Sequence, residues 1–491
     1  MLSSSSTLFW LTAFSFFFAL AGVLYARHSK DSLEDYVIAR NSQSSIATIL
    51  TLLASSLGAW ILFSPAQAAT WGGLAAVIGY AIGSMSPRIA MIPLGQRMRT
   101  LIPEGHTLSE FVLIRYGKGM YALTLLIMMF YMFIALTAEI TAMGKLVALV
   151  APVPLWATAL IVLTATLIYT SYGGLKSSIF TDKVQMLIIF PMLILLVAFG
   201  WYAIGGVAPT LAKLELNAPQ LLNISDPMGI KAGLTFFVAI LLTGLFHQGN
   251  WQRVYSAKDI PSMRRGFLLG GLFVAPFIFV LGLFGLAFVA HTPDGDNSVA
   301  LFSVVMPVIP TWFAVALLPL GLSLVMSSAD TAISAVSSII AVDTHRLRPQ
   351  TRPQTLRLMA RYIIILLAIP VLIVASQGYS VLYLFLLADL LCAAAAFPVF
   401  YGLYSRRLNG RIATVATLSG LAAGLYMFPS PSGPLTYLLE SFLLAALVPV
   451  IVTLVLIRLS RHLTLYDLTS LQHQIRGIDH EMAVSTKTAS A

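Results

Sequence analysis

Apolar runs of about twenty residues recur along the whole chain, about thirteen of them, separated by short polar connections. A run of that length crosses the hydrocarbon of a bilayer as a helix, the form that leaves no backbone polar group facing lipid. Approximate spans are 7–26, 44–64, 71–95, 119–150, 155–172, 178–206, 229–250, 264–291, 312–342, 359–376, 380–403, 411–429 and 434–458. The expected fold is therefore an all-α integral membrane protein. Of 491 residues, 58% are hydrophobic and 10% charged, against about 25% charged in soluble domains. The first run lacks a preceding basic residue and a convincing cleavage site, so it reads as a retained helix.

The net charge of +10 has a bland explanation. Of the 29 basic residues, 25 fall in alternate connections, from Arg27, Lys30 and Arg40 through Arg346 to Arg361 and on to Arg461 and Lys487. The opposite connections hold little beyond Lys213 and Lys231. By the positive-inside rule the N-terminus lies outside, the C-terminus lies in the cytoplasm, and the number of crossings is odd. The basic residues thus orient helices in a plasma membrane, a bacterial inner membrane being expected. The partner they imply is the lipid bilayer and not nucleic acid. Residues 1–461 read as one transmembrane domain and 462–491 as a short cytoplasmic tail. The longest outer connection, 207–228, is expected to carry local structure. A single cysteine, Cys392, excludes an intrachain disulfide and a multi-cysteine metal site.

Two segments are poor as uniform membrane helices. In "TLLASSLGAWILFSPAQAATWGG" (51–73), Ser55, Ser56, Gly58, Ser64 and Pro65 weaken the helix. One reading is a broken helix whose freed carbonyls bind a cation; the other is a seam of small residues for helix packing. In "LVMSSADTAISAVSS" (324–338), Ser327, Asp330, Thr331, Ser334 and Ser338 recur at three- and four-residue steps and form one polar stripe. Hydroxyls that bond back to their own helix account for some of these serines. They do not account for Asp330, because a carboxylate at membrane depth is costly and usually functional. Two hydroxyls and the carbonyls of a broken helix would give a hard monovalent cation about five oxygens. Asp182, Glu139 and Asp389 are the other deep carboxylates. Asp182 has an alternative reading as an interfacial residue paired with Lys183 or Lys176, and Asp330 as a partner of Arg88. Gln248 can face a cavity, whereas Asn250 to Arg253 read as a helix cap at the cytoplasmic surface. His247 reads as a metal ligand or proton relay, or as a hydrogen-bonded buried histidine. Trp60 and Trp71 read as flat apolar lids that gate a site, and Trp71 equally as an interfacial anchor.

"TSYGGLKSSIFTDKVQ" (Thr170–Gln185), "NWQRVYSAKD" (Asn250–Asp259) and "MSSADTAISAVSSIIAVD" (Met326–Asp343) resemble, in order, motifs of the sodium/solute symporter family. "PEGHTLSEFVLIRYG" (103–117) adds a likeness to its urea-transporter branch. The resemblance implies a LeuT-like core of two inverted five-helix repeats, approximately 44–206 and 229–403, with one N-terminal and two C-terminal peripheral helices. Carried over by position, it implies sodium on the carbonyls of Ala54, Leu57 and Leu324 and the hydroxyls of Ser327 and Ser328. Asp182 would assist sodium release and Asp330 would tune the sodium field. Ser56, Trp60, Glu139, Gln248 and Asp389 would contact the solute. Where some members carry an acidic residue, this chain has Ser56, which weakens the local field.

The function so implied is sodium-coupled import of a small polar organic solute, such as an amino acid, a sugar or urea, by alternating access. Sodium is the coupling ion, and no organic cofactor is expected. Each ion gains about 2.3 kcal/mol per 100 mV. A solute sensor with a symporter-like domain and a proton-coupled carrier are the alternatives. No Walker motif points to ATP, and no nucleophile–base set points to an enzyme.

Overall fold

The computed structural model describes residues 3–27, 32–430, 435–460 and 465–479. Lys30, Arg461, Lys487 and the expected tail other than 465–479 lie outside the described residues. In chain order the helices are α1 (Ser4–Arg27), α2 (Leu33–Val37), α3 (Ser45–Ser56), α4 (Ser64–Leu101), α5 (Leu108–Tyr116) and α6 (Lys118–Val150). Then come α7 (Leu155–Ala203), α8 (Val207–Asn217), α9 (Pro227–Gly244), α10 (Gln248–Ser256), α11 (Ile260–His291) and α12 (Ala300–Val305). The chain continues with α13 (Thr311–Leu347), α14 (Pro353–Ala375), α15 (Val381–Tyr401), α16 (Gly410–Met427) and α17 (Leu438–Leu459). Among the described residues, ten helices are long and apolar enough to cross a membrane. The only extended pairing there is an isolated bridge between Gln43 and Ala257.

Two of these helices are too long to cross once. At about 1.5 Å per residue, the 49 residues of α7 would run to ~74 Å, more than twice the hydrocarbon thickness. Each turns at one glycine with positive φ, Gly73 (φ 61°) in α4 and Gly174 (φ 57°) in α7. No side chain is tolerated there. A Cβ on Gly73 would overlap the Leu221 backbone, and one on Gly174 would lie 2.6 Å from the Tyr36 carbonyl oxygen. The stretches expected as loops at 65–70 and 173–177 are thus helix; the turn falls on Gly174 within the second, but on Gly73, three residues past the first.

Two further helices are broken. Helix α3 stops at Ser56, and Ala59–Leu62 forms a 3-10 turn before α4. Helix α9 stops at Gly244, and α10 begins at Gln248. The first break follows the weak stretch recognised in the sequence. Helix α13 lies against α3, α6 and α7 and is buried over most of its length, from Leu320 to Asp343 without interruption. It brings the polar stripe of Ser327 to Ser338 into the core, where lipid cannot reach it. Helices α14 and α17 instead present apolar outer faces. The 207–228 connection carries α8 and a short 3-10 turn at Pro219–Leu221.

Candidate functional site

The break after α3 leaves the carbonyls of its last turn without helical partners. The Ser327 hydroxyl of α13 takes their place, its Oγ lying 3.0 Å from both the Ala54 and the Leu324 carbonyl oxygens. Ser328 Oγ, one residue on, is buried with no hydrogen-bond partner. On the far side of the break, Ala59 N–H donates to Glu139 Oε2 at 2.7 Å. Gly58 lies between these groups. A Cβ there would overlap the Glu139 carboxylate and sit 2.6 Å from Ser328 Oγ. Leu57 ends α3, with its own N–H on the Leu53 carbonyl. Carbonyls and hydroxyls thus converge at the helix end without a soft donor. That donor set fits a small hard cation, sodium included. No group of three or more His, Cys, Asp or Glu side chains able to hold a metal occurs among the described residues.

Beyond Ala54 and toward the start of α3 lies a fully buried charged cluster. Asp182 Oδ2 accepts from Thr51 Oγ1 (2.5 Å) and from Arg253 Nη2 (3.2 Å), while Asp182 Oδ1 has no partner. Arg253 also donates to Thr51 and to Thr331, each at 3.0 Å. Asp182 therefore pairs with neither lysine of the alternative reading; Lys176 pairs with Asp35 at 3.0 Å. Asp330 does not meet Arg88. It accepts from Tyr169 (2.8 Å), Ser178 (2.8 Å), Thr181 (3.0 Å) and Thr331 (3.4 Å), four hydroxyls without a cation.

The run Gln248–Arg253 is buried, so Asn250 to Arg253 are not a surface cap. Asn250 and Trp251 donate to the Gly244 and Leu245 carbonyls, at 2.9 and 2.8 Å, and so satisfy the end of α9. Gln252 donates to the Val37 carbonyl at 2.8 Å. Gln248 turns away from the interior cavity. Its amide donates to the His106 carbonyl at 2.9 Å and accepts from Leu108 N–H at 3.1 Å, and Gln248 is not among the residues that line the cavity.

A cavity of about 110 Å³ adjoins the α3 break. Ser56, Trp60, Glu139, Ser328 and Asp389 line it, together with Tyr80, Tyr131 and Phe385. Trp60 stacks on Tyr80 at 5.9 Å and meets Phe385 edge-on at 6.0 Å. Trp71 lies outside this wall, against Phe236. Arg88 also reaches the cavity. It donates to the Ser84 carbonyl at 2.6 Å and to the Ser56 hydroxyl. Its sequence signal is a lone arginine inside an apolar span, which reads equally well as an ion-pair partner of Asp330. His247 lines the cavity edge-on to Tyr131, with Nδ1 unpartnered.

The model of the sodium:solute symporter family matches residues 36–420. A spermidine transporter of Candida albicans is 25% identical over 79% of this chain and 73% of its own length. A sodium/pantothenate symporter of Escherichia coli is 24% identical over 79% of this chain and 83% of its own. Among solved structures, a substrate-bound, outward-open Na+-coupled sialic acid symporter superposes with a TM-score of 0.74 at 18% identity, over 94% of this chain and 98% of that one.

Proposed function

The chain belongs to the sodium:solute symporter family, with its LeuT-like all-α fold, and on that premise we propose that it imports a small polar organic solute by alternating access, driven by sodium. It is a transporter and not an enzyme, as its relatives are. Sodium occupies the shell of Ala54, Leu57, Leu324, Ser327 and Ser328. The observation that carries this reading is the Ser327 hydroxyl held 3.0 Å from two carbonyl oxygens, that of Ala54 at the broken end of α3 and that of Leu324 on its own helix. An arriving ion replaces the Ser327 proton as the partner of those carbonyls, and Ser328 Oγ gains the partner it lacks. Each step exchanges one oxygen contact for another, so binding needs little rearrangement.

The solute occupies the adjoining cavity, against Ser56, Trp60, Glu139 and Asp389. Asp182 and Arg253 close the route beyond the sodium shell, and Asp182 assists release when that cluster opens. Asp330, held by three hydroxyls of α7, fixes the register of α13 against α7 and tunes the sodium field. Residues 1–461 form one transmembrane domain of thirteen crossings, with core repeats at about 44–206 and 229–403. The positive-inside rule sets the N-terminus outside and the C-terminus in the cytoplasm of a bacterial inner membrane.

The test follows thermal stability of the purified protein in NaCl against KCl at constant ionic strength. Ligand that binds only the folded state adds RT ln(1 + [L]/Kd). Sodium is expected to raise the midpoint in the wild type and not in Ser327→Ala/Ser328→Ala. Equal midpoints in the two salts would overturn sodium coupling and favour a proton-coupled carrier.

A further inference from the structure

Three charged side chains line the cavity, and the protein uses two of them itself. Glu139 accepts the Ala59 N–H freed by the helix break. Arg88 is turned onto the Ser84 carbonyl and the Ser56 hydroxyl. The third is Asp389, whose backbone carbonyl accepts from the Thr243 hydroxyl at 3.4 Å. Among the described residues no cationic side chain lies within 4.0 Å of it. Asp389 is only 6% exposed and sits one helical turn beyond Phe385 on α15, so the two share a face toward the cavity. A carboxylate at that depth without a cation is costly; a proton or a cationic partner from outside the chain relieves that cost.

The walls around it have the matching chemistry. Trp60, Tyr80 and Phe385 form a contiguous aromatic surface, and Tyr131 also lines the cavity. Ring faces carry negative potential and attract a cation, most strongly where water is excluded. A neutral polyol would stack on the same rings but would leave the charge of Asp389 unmatched. With two carboxylates against one arginine, a purely anionic solute is disfavoured.

We propose that the cavity recognises a solute through a protonated nitrogen, held on the Asp389 carboxylate within the box of Trp60, Tyr80, Tyr131 and Phe385. This rests on reading the cavity as the solute site. At about 10–15 Å³ per water-sized group, its 110 Å³ admits a solute on the order of ten non-hydrogen atoms.

The purified full chain is titrated with 1,4-diaminobutane and choline, each against its neutral counterpart, 1,4-butanediol and 3,3-dimethylbutan-1-ol. Thermal stability is read in NaCl and again in KCl. At least one amine is expected to stabilise the protein where its counterpart does not. Asp389→Asn weakens that amine by roughly thirtyfold or more, the effect of removing one partner of a buried charge pair, and keeps the sodium-specific shift. Phe385→Leu, which leaves every charge in place, weakens it less, and Phe385→Tyr restores it. Equal stabilisation by amines and neutral counterparts, an unchanged amine response in Asp389→Asn, or no response to any amine would each overturn the inference. The sodium shift is read without amine, so sodium coupling and amine recognition fail separately.

Discussion

Replacing Arg253 with glutamine isolates the energetics of the charged cluster beyond the proposed sodium shell. Arg253 and Asp182 are both at 0% exposure, 3.2 Å apart. The arginine has side-chain partners on three helices besides its own: Thr51 on α3, Asp182 on α7 and Thr331 on α13. Glutamine keeps some hydrogen-bonding capacity and removes the charge. Asp182 is then a buried carboxylate with Thr51 as its one remaining donor, since Oδ1 already has none. Breaking a buried pair from one side costs about 3–5 kcal/mol. Asp182→Asn alone leaves the arginine uncompensated and is expected to cost a similar amount. The double variant Asp182→Asn/Arg253→Gln carries no unpaired charge. It is expected to lose only about 1–2 kcal/mol, the net worth of a few buried hydrogen bonds. The coupling energy is then several kcal/mol, opposite in sign to the single losses. Equilibrium unfolding in detergent, titrated with a denaturing surfactant, measures all four corners of the cycle. Single losses that add to within about 0.5 kcal/mol in the double variant would refute the reasoning.

At the basic end of the bundle, buried His106 lies 3.5 Å from Glu34 and 3.3 Å from Glu110. Burial works to lower its pKa, but Glu110 and Glu34 outweigh it and raise it above the ordinary value. Burial works to raise Glu110, but His106 and Arg346 hold it at about 2. A histidine with a raised folded pKa contributes stability below its unfolded value near 6.5 and loses it as the pH climbs past the folded value. The wild-type midpoint should therefore fall on the alkaline side of neutrality, and His106→Gln should flatten that decline; parallel profiles would contradict the linkage. Gly58→Ala should displace the Glu139 carboxylate from the helix break and abolish the sodium-specific shift while leaving the helical circular dichroism intact. A wild-type sodium shift in that variant would sink the argument for close approach at Gly58.

The break after α3 was legible because Gly, Ser and Pro cluster where a membrane helix should be uniform. The polar stripe of α13 was legible because its spacing matches a helical face. Gly73 and Gly174 were not legible as turns. Between apolar runs a sequence suggests a loop, whereas one positive-φ residue is enough to reverse the chain. Arg253 was misread for a related reason. A basic residue after an apolar run ordinarily marks the membrane surface, but a break at 245–247 lets α10 continue inward, and the arginine is buried with it. Gln248 shares that displacement. Arg88 and Asp389 could be named as deep charges, but which charge meets which depends on the crossing of α3, α4, α6 and α15, and no single-helix period encodes a crossing.

The sodium shell and the solute cavity of the proposed function are joined by covalent neighbours and by one close approach. Ala54 and Gly58 lie on either side of the end of α3, and Ser327 and Ser328 are adjacent on α13. Ser328 lines the cavity, next to the Gly58 backbone that Glu139 also touches. A solute that shifts Glu139 disturbs the Ala59 N–H it holds, and with it the helix end whose carbonyls form the ion shell. An ion that draws those carbonyls together fixes the same break and so pre-forms one wall of the cavity. Coupling of this kind is reciprocal: whatever factor sodium contributes to solute affinity, the solute must return to sodium. The absence of a Cβ at residue 58 is what allows both sites to lean on one piece of backbone.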